Sequence, residues 1–123
     1  MENDLDDEEI FNLINDTLEK NHKSVKFGLS LNDETIYLES LTVLENKRGQ
    51  GLGTAFMNEL CSLCDKYDYY IDLSPSSDDN NNLENDNTYN RLVQFYEKFD
   101  FYITSENDGY MSRSPQSQNN LKM

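Results

Sequence analysis

Histidine occurs once in this chain of 123 residues, cysteine and proline twice each, and lysine plus arginine only ten times. Each shortage excludes something. Cys61 and Cys64 stand three apart inside a helical pattern, where a mutual disulfide is geometrically awkward, and no further cysteines exist to build a framework. A reducing, cytoplasmic compartment is therefore expected. The run Cys61-Ser62-Leu63-Cys64 imitates half of a zinc or redox site, but no second pair follows and His22 is remote in sequence. Both thiols are expected in the core, His22 in a solvated linker, and no metal site is expected. Ten bases against 24 acids give a formal charge of −14, which repels nucleic-acid backbones and anionic membranes and makes cationic partners the natural ones. The eight tyrosines could stack bases, but the same charge argues against it. No apolar run approaches the ~20 residues that span a bilayer, and the start "MENDLDDEEI" is acidic where a signal peptide is basic and then apolar. A soluble, unexported protein of one domain with one modest core is expected.

What is present reads as alternating helices and strands. "DDEEIFNLINDTLEK" places Ile10, Leu13, Ile14, Thr17 and Leu18 on one helical stripe, with acids in the first turn where the helix dipole favours them. "SVKFGLSL" and "ETIYLESLTVL" alternate apolar and polar residues around Asn32-Asp33, which predicts an antiparallel hairpin. Leu52, Phe56, Leu60, Leu63 and Tyr67 recur every three or four residues and predict a second helix packed on the sheet. "YDYYIDLSP" predicts a short strand stopped by Pro75, and "SSDDNNNLENDN" a polar surface loop. "TYNRLVQFYEKF" resumes helical spacing through Leu92, Phe95, Tyr96 and Phe99, and "DFYITSENDGYMSR" predicts a hairpin turning near Asp108-Gly109. The order predicts an α/β domain of mixed sheet without repeats. Residues 1–8 are expected to form an acidic N-terminal segment, 9–113 the domain and 114–123 a disordered tail.

The stretch "RGQGLGT", residues 48–54, sets three glycines at alternate positions between a predicted strand and a predicted helix. A strand that passes through a glycine turn into a helix points several unpaired N–H groups at one spot, and the helix dipole adds to them. That arrangement binds phosphate, glycine lets the anion approach the chain, and Arg48 with Lys47 supplies a compact basic pair. A plain tight turn is the structural alternative. A nucleotide-hydrolysing loop would end in Gly-Lys-Ser/Thr, and here Gly53-Thr54 follows without lysine. A dinucleotide-binding fingerprint would need its third glycine at Thr54 or Phe56, and the preceding hairpin disagrees with a doubly wound parallel sheet.

"LTVLENKRGQGLGTAFMNEL" resembles the acetyl-coenzyme A signature of the GNAT superfamily of N-acetyltransferases, Arg/Gln-x-x-Gly-x-Gly/Ala, which Arg48, Gly51 and Gly53 match. "LVQFYEKFDFY" resembles the second signature, Leu-Tyr-Glu-Lys-x-Gly-Phe, in the right order and at the right spacing. Asp100 stands where the family has glycine, and Tyr89 where it has asparagine. The resemblance covers roughly residues 23–113, and the chain is similar in size and motif layout to very small, phage-encoded members, which would act in a host cytoplasm. It implies a mostly antiparallel sheet splayed at a cofactor cleft with flanking helices, with one helix before the hairpin where many members have two.

The resemblance also implies acetyl-coenzyme A as co-substrate, held by Arg48, Gly49, Gln50, Gly51, Leu52, Gly53 and Thr54 at the pyrophosphate and by backbone N–H groups near Leu41, Thr42 and Val43. Bulk at Gly51 or Gly53 is expected to block the anion. Acyl transfer to an amine needs a neutral nucleophile, a stabilised oxyanion and a proton for the departing thiolate. By resemblance Tyr96 supplies that proton; its structural alternative is a core aromatic. Glu39, on the strand before the turn, is the expected base, with Glu34 and Glu45 as competitors among many solvated acids. The expected function is N-acetylation of a primary amine, first a lysine on a basic protein, with a small polyamine or aminoglycoside second. The rival from another class is a non-catalytic acidic decoy on the same scaffold that inhibits a nucleic-acid enzyme. Monomer and homodimer both remain open.

Overall fold

The computed structural model describes residues 5–75, 86–105 and 109–116. Helix α1 spans Asp7–Asn21 and begins in a reciprocal cap: the Glu9 N–H donates to Asp6 Oδ1 at 2.9 Å, and the Asp6 N–H donates to Glu9 Oε1 at 3.0 Å. Asp7, Glu8 and Glu9 add negative charge where the dipole is positive. Ile10, Ile14 and Leu18 are buried, whereas Leu13, expected on the same stripe, lies at its edge and is 40% exposed. Strands β1, Val25–Asn32, and β2, Thr35–Val43, form the expected hairpin, its turn carried by Asp33 at φ 56°.

A short 3₁₀ turn, Glu45–Lys47, leads through the glycines into α2, Leu52–Tyr67. Its buried face is Phe56, Met57, Leu60, Cys61 and Cys64, with Leu63 and Tyr67 only half-buried. Both thiols therefore lie in the core, as expected. Asp68 at φ 69° ends the helix, and β3 follows at Tyr70–Leu73. Helix α3 spans Asp86–Glu97, starting two residues before the predicted segment, and β4, Tyr102–Ser105, and β5, Tyr110–Arg113, close the chain with Gly109 at φ 72° between them. Asp108, residues 76–85 of the predicted surface loop and residues 117–123 of the predicted tail lie outside the described residues.

The five described strands lie in the order β1-β2-β3-β5-β4, parallel only between β2 and β3. This is the mixed, mostly antiparallel sheet that the sequence predicts. One row of side chains, Leu38, Leu73 and Met111, packs with Ile36, Ile71, Val25 and the helices into a single core. Arg113 shares this side at 4% exposure: its Nε donates to the Phe99 carbonyl at 2.7 Å, and its two terminal nitrogens donate to the Asp65 carboxylate at 2.7 and 3.1 Å. Asp65 also accepts the Gln116 N–H at 2.8 Å. The arginine thus ties the C-terminal ends of α2 and α3 to β5. On the other face of the sheet, no described strand residue is buried. Among the described residues no helix is long and apolar enough to cross a membrane.

Candidate cofactor and active site

The end of β2 is open on one side. The Leu44 N–H donates to the Ser24 carbonyl at 2.9 Å, and bonded pairs alternate along an antiparallel ladder, so Lys26↔Thr42 and Gly28↔Ser40 are bonded in turn. Thr42 therefore points its backbone groups at β1, while Leu41 and Val43 point theirs the other way. On that side β3 pairs only as far as Leu38, so among the described residues no strand pairs with that edge of Leu41 or Val43. The register also slips between Gly28 and Leu29, so that no β1 residue stands opposite Glu39 in the ladder. This bulge increases the local twist and turns the end of β2 away from the sheet.

The glycine turn lies just beyond that open edge. Arg48 swings back so that its Nε donates to the Val43 carbonyl at 2.9 Å, which keeps an exposed guanidinium beside the turn. Gly49 and Gly51 have φ of 82° and 77°, left-handed conformations in which a side chain is strained. Gly51 is the N-cap of α2, and no side chain caps the helix. No acid stands in its first turn either. The contrast with α1 is informative: a chain with 24 acids fully caps one helix and leaves the other bare beside an arginine. Leu52, Gly53 and Thr54 thus present N–H groups at the positive end of a 16-residue helix.

Gly53 carries a separate message. It has ordinary helical φ, and a Cβ there would meet Phe95 Cζ and Val43 Cγ2 at 3.8 Å, ordinary contacts. Neither backbone strain nor crowding requires glycine, although glycine weakens a helix by up to about 1 kcal/mol relative to alanine. The signature itself admits glycine or alanine at this position. It is the bare helix end beside Arg48 that fits the pyrophosphate of coenzyme A.

Phe95 also shows how α3 reaches the site. Its ring meets Tyr96 and Phe99 edge-on, with centroids 5.1 and 5.2 Å away, and Tyr96 in turn meets Phe101 at 5.8 Å. Tyr96 is buried, and burial pushes its phenol up to about 12. Among the described residues no buried side-chain oxygen lacks a hydrogen-bond partner. Asp100, in the position where the resemblance calls for glycine, has φ 74°, so the glycine preference is a backbone requirement that aspartate meets with some strain.

The candidate carboxylates are placed differently. Glu39 is exposed and accepts the Ser30 hydroxyl at 2.7 Å on the sheet face opposite the helices, so it does not share the packed side of the sheet with Tyr96. Glu34 sits in the hairpin turn, its carbonyl accepting the Tyr70 N–H at 2.9 Å, and Glu45 opens the 3₁₀ turn. His22 is not a solvated linker residue: its ring packs edge-on against Phe56 at 5.4 Å, and Nε2 lies 2.8 Å from Glu59 Oε1. Among the described residues no cluster of metal-ligating side chains occurs. Sequence reasoning missed the Phe95 contact and the Ser30 partner of Glu39, since both join residues from separate elements.

Residues 8–103 match the family model described as an acetyltransferase (GNAT) domain. Among solved structures, the anti-CRISPR protein AcrVA5 is similar at a TM-score of 0.60 and 16% identity, over 75% of this chain and 92% of that one. The ribosomal-protein-S18-alanine N-acetyltransferase of Escherichia coli is similar at 0.54 and 16% identity, over 81% and 67%. Ard1 of Thermoplasma volcanium is similar at 0.53 and 20% identity, over 74% and 62%. These likenesses are of fold. No protein of curated function matches the sequence.

Proposed function

The chain belongs to the GNAT family of acetyltransferases, and from that premise we propose that it transfers an acetyl group to a lysine amine on a basic protein. Acetyl-coenzyme A is the family's acyl donor and brings a thioester carbonyl that an amine can attack. The bare N-terminus of α2, beside Arg48 in an otherwise acidic chain, is the observation that carries this reading.

In this reading the N–H groups of Leu52, Gly53 and Thr54 and the Arg48 guanidinium hold the pyrophosphate, with Gly49, Gln50 and Gly51 shaping the approach. The outward N–H groups of Leu41 and Val43 hold the pantetheine arm and polarise the thioester oxygen, while Thr42 keeps the strand tied to β1. Tyr96 donates a hydrogen bond and then its proton to the departing sulfur. Glu39, steadied by Ser30, accepts the proton of the incoming ammonium directly or through a water.

The test is peptide mass spectrometry of basic proteins and small amines incubated with the chain and acetyl-labelled coenzyme A. Label on lysine amides of a basic protein is the expected result. Label only on small amines would reassign the acceptor. Calorimetry without detectable acetyl-coenzyme A binding would overturn the enzyme reading and leave an acidic binding protein on the same scaffold.

A further inference from the structure

The helix-free face of the sheet carries a pattern that cofactor binding does not use. One row crosses all five strands as Ser30, Tyr37, Asp72, Ser112 and Tyr102. Tyr70 lies on the same face beside Thr35, and Tyr110 lies on it beside Ser105. Tyr70, Tyr102 and Tyr110 are 43, 50 and 46% exposed. Between the tyrosines, half-buried Asp72 is oriented by the Ser112 hydroxyl, which donates to its Oδ1 at 2.5 Å. Glu39 extends the same face toward the open edge of β2. Of the two cations in the described strands, Arg113 is buried on the other side, so Lys26 is the only one here.

We propose that this face docks a lysine- and arginine-rich polypeptide segment, the stretch of the acceptor protein that surrounds its target lysine. Tyrosine faces attract guanidinium and ammonium groups, and a carboxylate set between them adds a directed acceptor. The formal charge of −14 favours such a segment and opposes both a nucleic acid and a second copy of the chain. Five strands at a spacing of about 4.8 Å make the row about 19 Å long, the span of about six extended residues. The segment would pass Glu39 where β2 loses its β3 partner, which brings a lysine to the open edge. This last point rests on the acetyl-transfer reading; docking itself does not.

Two measurements separate the two. Fluorescence anisotropy with a labelled peptide alternating lysine and serine, against one alternating glutamate and serine, reads docking without coenzyme A. Saturable binding of the lysine peptide alone is expected. The double variant Tyr70→Ser, Tyr102→Ser should weaken it roughly tenfold at an unchanged melting temperature. Asp72→Asn, which preserves shape, should weaken it in the same direction if the double variant melts early. Acetylation of spermidine by the same variants should stay at the wild-type rate. Absent binding by the wild type, or equal affinity in both variants, overturns the proposal. Sedimentation that shows a wild-type dimer dissolved by the tyrosine substitutions also overturns it, by assigning the face to a second copy. Docking lost in the variants while the wild type acetylates no amine would leave the surface standing and remove acetyl transfer.

Discussion

A Cβ on Gly53 would stand 3.8 Å from the ring of Phe95, an ordinary contact that neither strains nor crowds the fold. Gly53→Ala should therefore fold at least as stably as the wild type, since alanine favours the helix by up to about 1 kcal/mol. It should also keep its affinity for acetyl-coenzyme A, since the signature admits alanine here, whereas Gly53→Glu, which sets a negative charge at the helix end, should lose about tenfold or more. Calorimetry beside thermal melts reads both. Wild-type affinity in a stable Gly53→Glu would remove the helix end from the site. Gly51 is the poorer probe: at φ 77° any side chain costs about 1 kcal/mol of backbone strain before a ligand arrives.

Tyr96→Phe keeps the ring contacts with Phe95 and Phe101 and removes one hydroxyl. Turnover should fall by about a hundredfold while the calorimetric affinity for acetyl-coenzyme A holds. Because burial pushes Tyr96 up to about 12, it stays protonated at every working pH and is half-ionised only near that value. The rate should therefore rise with pH as the acceptor amine deprotonates, with no falling limb from Tyr96 below about pH 10. A limb that falls near pH 8 in the wild type and vanishes in Tyr96→Phe would contradict this environment.

Local signals carried most of the fold. The three-and-four spacing of α2, the Asn32-Asp33 turn and the acids of α1 each act within a few residues, and all appear where the pattern places them. What was not legible joins distant residues. Arg113 reads only as the last residue of a predicted hairpin, and nothing local pairs it with Asp65, 48 positions earlier. His22 reads as solvated until Glu59 and Phe56 close over it. The bulge at Glu39 depends on the register of two strands, and alternation of residue types cannot reveal it. In the candidate site, the motif named the turn but not the left-handed backbone that calls for glycine at Gly49 and Gly51.

Removing one side of the Arg113 and Asp65 pair should be costly. Arg113→Met would strand a carboxylate whose side chain is 14% exposed and leave the Phe99 carbonyl without its donor. A loss of about 3–5 kcal/mol in urea unfolding is expected. Arg113→Met with Asp65→Leu should recover much of it, since two apolar groups leave no buried charge. A double variant as unstable as the single one would locate the cost in packing.

Cys61 and Cys64 should be chemically quiet. Burial drives both thiols upward, Cys61 to about 12 and Cys64 further, with Cys61 adding to the rise at Cys64. Native protein at about pH 8 should react with iodoacetamide far more slowly than a free thiol, and both cysteines should label at once in denaturing urea. Rapid labelling of the folded chain would place α2's buried face in contact with solvent.

The charge of the chain sets its salt response, and the sign differs for the two substrates. A protein at −14 attracts a basic acceptor and repels anionic coenzyme A at long range, so the general field serves the acceptor while the Arg48 turn works locally against it. Between about 0.01 and 0.1 M salt the Debye length shrinks from roughly 30 to 10 Å. Over that range kcat/KM for a basic protein acceptor should drop steeply, while the KM for acetyl-coenzyme A should hold steady or improve as repulsion is screened. Steady-state rates at fixed pH, varying one substrate at a time, distinguish the two. If both parameters weaken together, salt is competing for the anion site itself, and the field of the protein plays no part in choosing the acceptor.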